Sequence, residues 1–317
     1  MKRYLVLLLI SLTMFGSVLS GCTSEKAPAE ETYSGEAIKF MTYNICASYI
    51  DEEEAKDDSL YISARYQNVF DVINHEEPDV LCITEFNSSW YPYFQKAYMA
   101  GDEYDCYGYS SMGNRLKRLG DQWDLVNLVM YRADKYQLLD KGRFWCSSTP
   151  DTANSYTLPD GTVGDFGRCI NWVKLESMAT GQQFYAVAAH IDAKHEEVRD
   201  FSTTLISQRM NEIAEGLPVV IMGDFNCNYT KPAYENMIRN GYENARELVK
   251  EKIDIGTYNA WDPERDMKTV KPIDQCFLSK GQFEVSRYRV VDTVLDNGYA
   301  PSDHYPITVM AYFKAQK

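Results

Sequence analysis

The sequence predicts an α+β protein of packed β-sheets with a few helices, and three observations point that way. Apolar runs of strand length recur along the whole chain, only two stretches show a helical repeat, and residues that ionise or bind metal stand repeatedly where the apolar runs stop. An apolar strand at 38–43 is followed by an acidic stretch, 51–58, and then by a helix with Tyr66, Val69, Phe70 and Ile73 on one face. Strands are expected at 80–84, 125–131, 170–175 and 184–189. A second helix spans about 196–215, with Val198, Phe201, Leu205, Ile206, Met210 and Ile213 on one face, and strands follow at 219–222, 273–278 and 307–313.

The strand ends are where chemistry collects. Asn44, Glu85, His190, Asp224 and the pair Asp303-His304 stand at or beside them. Carboxylates and imidazoles placed repeatedly at strand exits imply one polar cluster at the rim of packed sheets, which is costly unless it binds something.

With 45% hydrophobic residues, 24 tyrosines and 13 phenylalanines, the chain has ample material for a core, which excludes disorder over its whole length. Its 317 residues fit one large sandwich. A net charge of −14 opposes tight, sequence-independent binding to duplex DNA, since that affinity comes from lysines and arginines displacing counterions from phosphates. A nucleic-acid substrate stays open, because a local basic groove or a bound metal can coexist with an acidic body. The run Arg115-Leu116-Lys117-Arg118 is either a steering element for phosphates or a solvated loop.

Lys2 and Arg3 precede an apolar run, 4–19, too short for a comfortable membrane span, which is the layout of a secretory signal. The segment ends in Leu19-Ser20-Gly21-Cys22, which resembles the bacterial lipobox, whose cysteine is lipidated and becomes the first mature residue. The resemblance implies a signal peptide over 1–21, a lipid anchor at Cys22 with a flexible tether over 22–35, and one domain over 36–317, held at the membrane outside the cytoplasm in a bacterial cell envelope. An ordinary cleaved signal with a chance cysteine is the alternative. Eight cysteines less Cys22 leave seven, which cannot all pair within one chain, and several lie in apolar runs such as Asp79-Val80-Leu81-Cys82-Ile83. Most therefore read as small buried hydrophobes.

Gly223-Asp224-Phe225-Asn226, directly after Pro218-Val219-Val220-Ile221-Met222, puts an acid and an amide at alternate positions, so both can point to one side of an extended chain. The acid could then orient or deprotonate water while the amide fixes its geometry. Ser302-Asp303-His304 sets a hard oxygen ligand beside a titratable ring, a pairing suited to metal-assisted phosphate chemistry. Either motif alone would read as an ordinary turn.

Together with Met41-Thr42-Tyr43-Asn44, Pro78-Asp79-Val80-Leu81-Cys82-Ile83-Thr84-Glu85, Ala189-His190-Ile191-Asp192 and Ile273-Asp274-Gln275, these motifs run in order over nearly the whole mature chain. In that order the chain resembles the endonuclease/exonuclease/phosphatase superfamily, which has the deoxyribonuclease-I-like fold. The stretch Leu138 to Trp145, with Thr149-Pro150 and Arg168-Cys169-Ile170-Asn171-Trp172, is similar to its bacterial secreted and lipoprotein branch. The resemblance implies a four-layer α/β/β/α sandwich of two packed mixed β-sheets and a hydrolase of phosphate esters that depends on Mg2+ or Mn2+.

The resemblance also implies the roles of individual residues. Glu85 would be the main metal ligand, with Asn44 and Asp303 completing its surroundings. Asp224 and Asn226 would aim the attacking water, and His304, held by Asp274, would bracket the phosphate with His190. Either Asp224 or His304 would take the proton. Arg168 reads as a phosphate contact, with Asn44 beside it, or as a surface salt bridge. Asp192 reads as a substrate or metal contact or as a turn acid, and His75 and His195 as solvated. Ala189 and Thr84 depart from the residues usual in the family, and neither change removes a group that must ionise.

Expected partners are a phosphorylated substrate (nucleic acid, inositol phosphate or phospholipid headgroup) and the membrane through the N-terminal lipid, with the chain a monomer. The competing reading is a non-catalytic binding lipoprotein that retains the fold. Acids and histidines intact at every motif speak against it.

Overall fold

Apolar side chains on both faces of the central strands drive two β-sheets together and leave their outer faces to be covered by helices. The computed structural model describes residues 33, 35–47, 58–165, 167–249 and 252–314. The expected signal, Cys22, most of the tether and all but the end of the acidic stretch lie outside them. The described residues belong to one compact unit.

The first sheet contains β1 (Ala37–Asn44), β2 (Val80–Phe86), β3 (Tyr104–Tyr107), β4 (Val126–Arg132), β10 (Lys252–Ile253), β12 (Phe283–Val290) and β13 (Ile307–Phe313), in the order β10-β12-β13-β1-β2-β4-β3. The second contains β5 (Tyr136–Trp145), β6 (Cys169–Ser177), β7 (Gln183–His190), β8 (Val219–Asp224), β9 (Tyr242–Asn244) and β11 (Asp274–Ser279), in the order β5-β6-β7-β8-β11-β9. Both sheets are mixed. Phe40, Val80, Cys82, Ala186, Ala188, Val220, Met222 and Cys276 meet between them in the central core. α1 (Ile62–Glu76) and α2 (Tyr91–Phe94) pack on the outer face of the first sheet through Val69, Phe70, Ile73 and Phe94. α3 (Glu196–Ala214) and α4 (Pro232–Arg239) cover the second through Ile206, Met210, Ala233 and Met237. The four-layer sandwich expected from the motifs is the fold observed.

The two long helices and the apolar strands lie where the periodicity puts them, within a residue or two at the ends. Other elements carried no readable signal. β5 is largely exposed along its middle and reads as polar. β12 alternates inward residues Phe283, Val285, Tyr288 and Val290, but a register shift between Val285 and Arg287 breaks the period of two. β3, β9 and β10 are too short to show a period. Of the seven described cysteines, all but Cys106 are buried.

Strand direction positions the functional side chains. β1 and β2 run parallel, with Asn44 opposite Thr84 at their exits. β7 and β8 also run parallel, with His190 opposite Asp224, and antiparallel β11 begins with Asp274 opposite Asp224. One residue before Asp224, Gly223 has φ 150°, and a Cβ there would come within 1.6 Å of the Ala189 carbonyl oxygen. Only glycine allows β7 and β8 to pair this closely at the rim. Gly223→Ala should lower the unfolding free energy by about 3 kcal/mol or more, measured by urea titration.

Candidate active site

Each of the candidate side chains comes from the end of a strand or the turn beside it. Glu85 sits at a register shift between β2 and β4 with φ 62°, a left-handed conformation that a glutamate rarely adopts. The bulge turns its carboxylate to the rim, where Oε1 accepts a bond of 3.0 Å from Asn44 Nδ2 and Oε2 one of 2.8 Å from the Ala47 amide. Asn44 Nδ2 also donates to Asp224 Oδ2 at 3.1 Å, and its Oδ1 accepts from the Cys46 amide at 3.0 Å. Asn44 therefore ties two acids together with its amide nitrogen while the turn after β1 holds its oxygen.

Asp224 is the hub. Its Oδ1 accepts the Asn226 amide at 2.8 Å, and its Oδ2 lies 3.5 Å from His190 Nε2 and 3.7 Å from His304 Nε2. Asn226, also left-handed at φ 45°, donates from Nδ2 to the Ile191 carbonyl and lies 3.1 Å from His190 Nε2. With that amide group turned to the carbonyl, His190 Nε2 is the acceptor and its proton sits on Nδ1. His304 Nδ1 lies 2.7 Å from Asp274 Oδ2. The Thr257 hydroxyl accepts the amides of Ile273 and Asp274 and fixes the start of β11. Asp303 follows Ser302, whose hydroxyl donates to the Asn44 carbonyl at 2.7 Å, and its own carbonyl accepts the amides of Asn259 and Ala260.

Burial sets the charge states of these groups apart. His190 is pushed well below the ordinary imidazole value by burial first and by the nearby charges of Arg168 and His304 next. Its approach to Asp224 is therefore a contact of a neutral ring and not an ion pair. Burial works against the charged form of His304 as well, but Asp274 and Asp224 more than offset it and hold the ring well above that value. Asp224 is pushed up to about 7 by burial and by the charge of Asp274. Burial also raises Asp303. Two histidines a few ångströms from one carboxylate thus carry different charges, a separation suited to acid and base roles.

Glu85, Asp224, Asn226, His190, Asp303, His304 and Arg168 line one cavity of about 270 Å³. Ligand atoms of Glu85, His190 and Asp224 lie within 4.8 Å of one another, as do those of Asp224, Asp274 and His304. Arg168 stands just before β6, buried, with Nη2 4.0 Å from Asp165 Oδ2. Asp192 is a buried turn acid that accepts the amides of Asp165, Lys194 and His195. His75 is exposed and His195 half-buried. Trp123, Leu125 and Tyr258 also line the cavity, with Ala47, Asp165 and Ala193, and Asn259 and Thr257 support it from behind. These residues sit in irregular segments with no period, and of the supports only Ser302 stood inside a recognisable motif.

A model of the Endonuclease/Exonuclease/phosphatase family matches residues 41–304. Among solved structures, an endonuclease/exonuclease/phosphatase family protein from Bacteroides thetaiotaomicron is 24% identical, covers 89% of this chain and 100% of its own, and superposes with a TM-score of 0.77. A mannosyl-6-phosphatase from the same organism is 24% identical over 87% of this chain and 100% of its own, with a TM-score of 0.74. The human Nocturnin catalytic domain, with a bound sulfate, is 18% identical over 88% of this chain and 94% of its own, with a TM-score of 0.67. No curated protein sequence is matched.

Because Asp274 is the first of the charges that hold His304 cationic, Asp274→Asn should lower the pKa of that ring. Imidazole chemical shifts followed against pH in the metal-free protein will show the fall, and an unmoved titration would count against the pairing.

Proposed function

The chain belongs to the endonuclease/exonuclease/phosphatase family and is a phosphoric ester hydrolase, and from that premise we propose that it removes phosphate from a small polar substrate outside the cytoplasm. The carrying observation is the convergence of Glu85, His190, Asp224, Arg168 and His304 on one cavity of about 270 Å³, a volume suited to a phosphate with a small organic group. A net charge of −14 favours such a solute over a polyanion. The mannosyl-6-phosphatase of similar fold acts, by its name, on a phosphorylated sugar, so sugar phosphates are the substrate class to examine first.

The donor set fits a hard divalent cation, Mg2+ or Mn2+, because the carboxylates of Glu85, Asp224 and Asp303 line one cavity and the Asn44 side chain bridges the first two. Glu85, Asp303 and Asn44 would hold the ion, which would polarise the phosphoryl oxygens and lower the charge that develops on them. Asp224, whose proton affinity lies near neutrality, takes the proton of the attacking water. The Asn226 amide fixes the orientation of Asp224, and the Asn226 side chain fixes the His190 ring. His304, cationic through Asp274, donates from Nε2 to a phosphoryl oxygen as the water oxygen bonds to phosphorus and the ester bond breaks, and the departing alkoxide takes a proton from solvent to leave as the alcohol. Arg168 meets another oxygen of the phosphate.

Residues 1–22 support export and a lipid on Cys22, with 22–35 as the tether of a monomeric envelope lipoprotein. Among the described residues no helix is long and apolar enough to cross a membrane.

Hydrolysis of a panel of sugar phosphates, inositol phosphates, phospholipids, RNA and plasmid DNA, run with Mg2+ or Mn2+ and with a chelator, tests the activity. Asp224→Ala and His304→Ala should each lose about a hundredfold to ten-thousandfold in turnover with an intact fold by circular dichroism. Parent and variants of equal activity, or activity indifferent to the chelator, would refute the mechanism. Cys22→Ala should move the protein from the membrane fraction to the soluble one.

A further inference from the structure

Arg65 lies on α1 among the apolar residues of its inner face and is 1% exposed. Its guanidinium is spent on main-chain carbonyls: Nε donates to Leu60 at 2.8 Å, Nη1 to Ile45 at 2.7 Å and Pro301 at 3.1 Å, and Nη2 to Cys46 at 2.8 Å. The rings of Trp90 and Trp261 stand 4.8 and 5.3 Å from its central carbon. Withdrawing a cation from water costs several kcal/mol, so a buried arginine held in this way points to a task beyond filling space.

The carbonyls it holds define that task. In a trans peptide the C=O and the following N–H point in opposite directions. Drawing the Ile45 carbonyl back onto Arg65 turns the Cys46 N–H forward to Asn44 Oδ1, and drawing the Cys46 carbonyl back turns the Ala47 N–H forward to Glu85 Oε2. Two successive peptide planes are thus clamped between a guanidinium on one side and the rim on the other. Cys46 itself has φ 56°, a conformation that needs such support. Trp90 Nε1 donates to the same Cys46 carbonyl at 2.9 Å. The third carbonyl, of Pro301, precedes Ser302, whose hydroxyl holds the Asn44 carbonyl, and Asp303 comes next. Asn44, Glu85 and Asp303 are the three residues assigned above to the cation, and Arg65 stands behind the turns that aim all of them.

We propose that Arg65 is the positioning residue of the cation site, aiming Glu85 and Asn44 through the peptide groups of Cys46 and Ala47. The proposal rests on the reading that Glu85 holds a divalent ion, and it assigns Arg65 no contact with substrate. Lysine would keep the charge but cannot span the carbonyls of Ile45, Cys46 and Pro301 together.

Binding of Mn2+ to the full chain, followed by the electron paramagnetic resonance of free Mn2+ and by calorimetry, tests this directly. Arg65→Lys and Arg65→Met should each weaken Mn2+ binding by about tenfold to a hundredfold, the range found when groups behind a metal ligand are removed. Met210→Ala, in the core under α3, should lower the thermal midpoint and leave Mn2+ binding as in the parent. Trp90→Phe, which keeps the ring and loses the bond to Cys46, should weaken binding a few-fold, and it carries the test should both Arg65 variants fail to fold. Glu85→Gln separates the two layers of the proposal. Parent-like Mn2+ binding in Glu85→Gln would overturn the cation assignment and the role of Arg65 with it. Loss in Glu85→Gln with parent-like binding in Arg65→Lys, or in Trp90→Phe where the Arg65 variants do not fold, would overturn the positioning role alone. A loss in Met210→Ala equal to that in Arg65→Lys would also overturn it.

Discussion

The polar rim depends first on strand direction. Each sheet contains a parallel pair, β1–β2 in one and β7–β8 in the other, and a parallel pair sets two strand exits side by side. The antiparallel neighbours β13 and β11 begin at the same edge, which delivers His304 and Asp274 to where Asn44, Glu85, His190 and Asp224 emerge. The sheets are held face to face by a dry core, and the Cys82 thiol of β2 reaches the Val187 carbonyl of β7. Reversal of any one of these strands would send its polar end to the opposite edge.

The cluster so assembled is expensive, and its internal arrangement shows how the cost is met. Carboxylates at this depth need partners, and each has them: Glu85 two N–H donors, Asp224 an amide and the Asn44 side chain, Asp274 a cationic imidazole. His304 is charged because acids face it, and His190 is neutral because burial first, and nearby cations next, disfavour a charge on it. Asp224, between the two rings, is left with a proton affinity near that of neutral solution. Groups that differ this much in charge within a few ångströms have the separation that acid and base chemistry requires.

Backbone strain is concentrated at the same place. Glu85, Asn226 and Cys46 all occupy the left-handed region, each at a cost of about 1–3 kcal/mol, and all three lie within or beside the cavity wall. The surrounding hydrogen bonds over-determine them: the Ala47 amide on Glu85, the Asp224 carboxylate on the Asn226 amide, and Arg65 with Trp90 on the Cys46 carbonyl. Such conformations position side chains that regular strands would have aimed into the core or away from the rim.

Much of this was legible in the chain itself. Consecutive apolar residues in 80–84 and 219–222 identify doubly buried strands, the face of Tyr66, Val69, Phe70 and Ile73 identifies a helix, and an acid or imidazole at the exit of strand after strand identifies a polar rim, because each of these signals is local. Hidden from that reading were the exposed strand β5, the bulged strand β12, and the supporting residues Arg65, Asn259 and Thr257, which sit beside no motif. The residue types and order along the chain settle which chemistry is available, since hydropathy and ionisable groups are properties of single residues. The pairing of His190 with a neutral state and His304 with a charged one, the bulge that turns Glu85, and the grip of Arg65 on two distant turns exist only once strands far apart in sequence lie side by side, because charge state, strain and positioning depend on neighbours that the chain order does not specify.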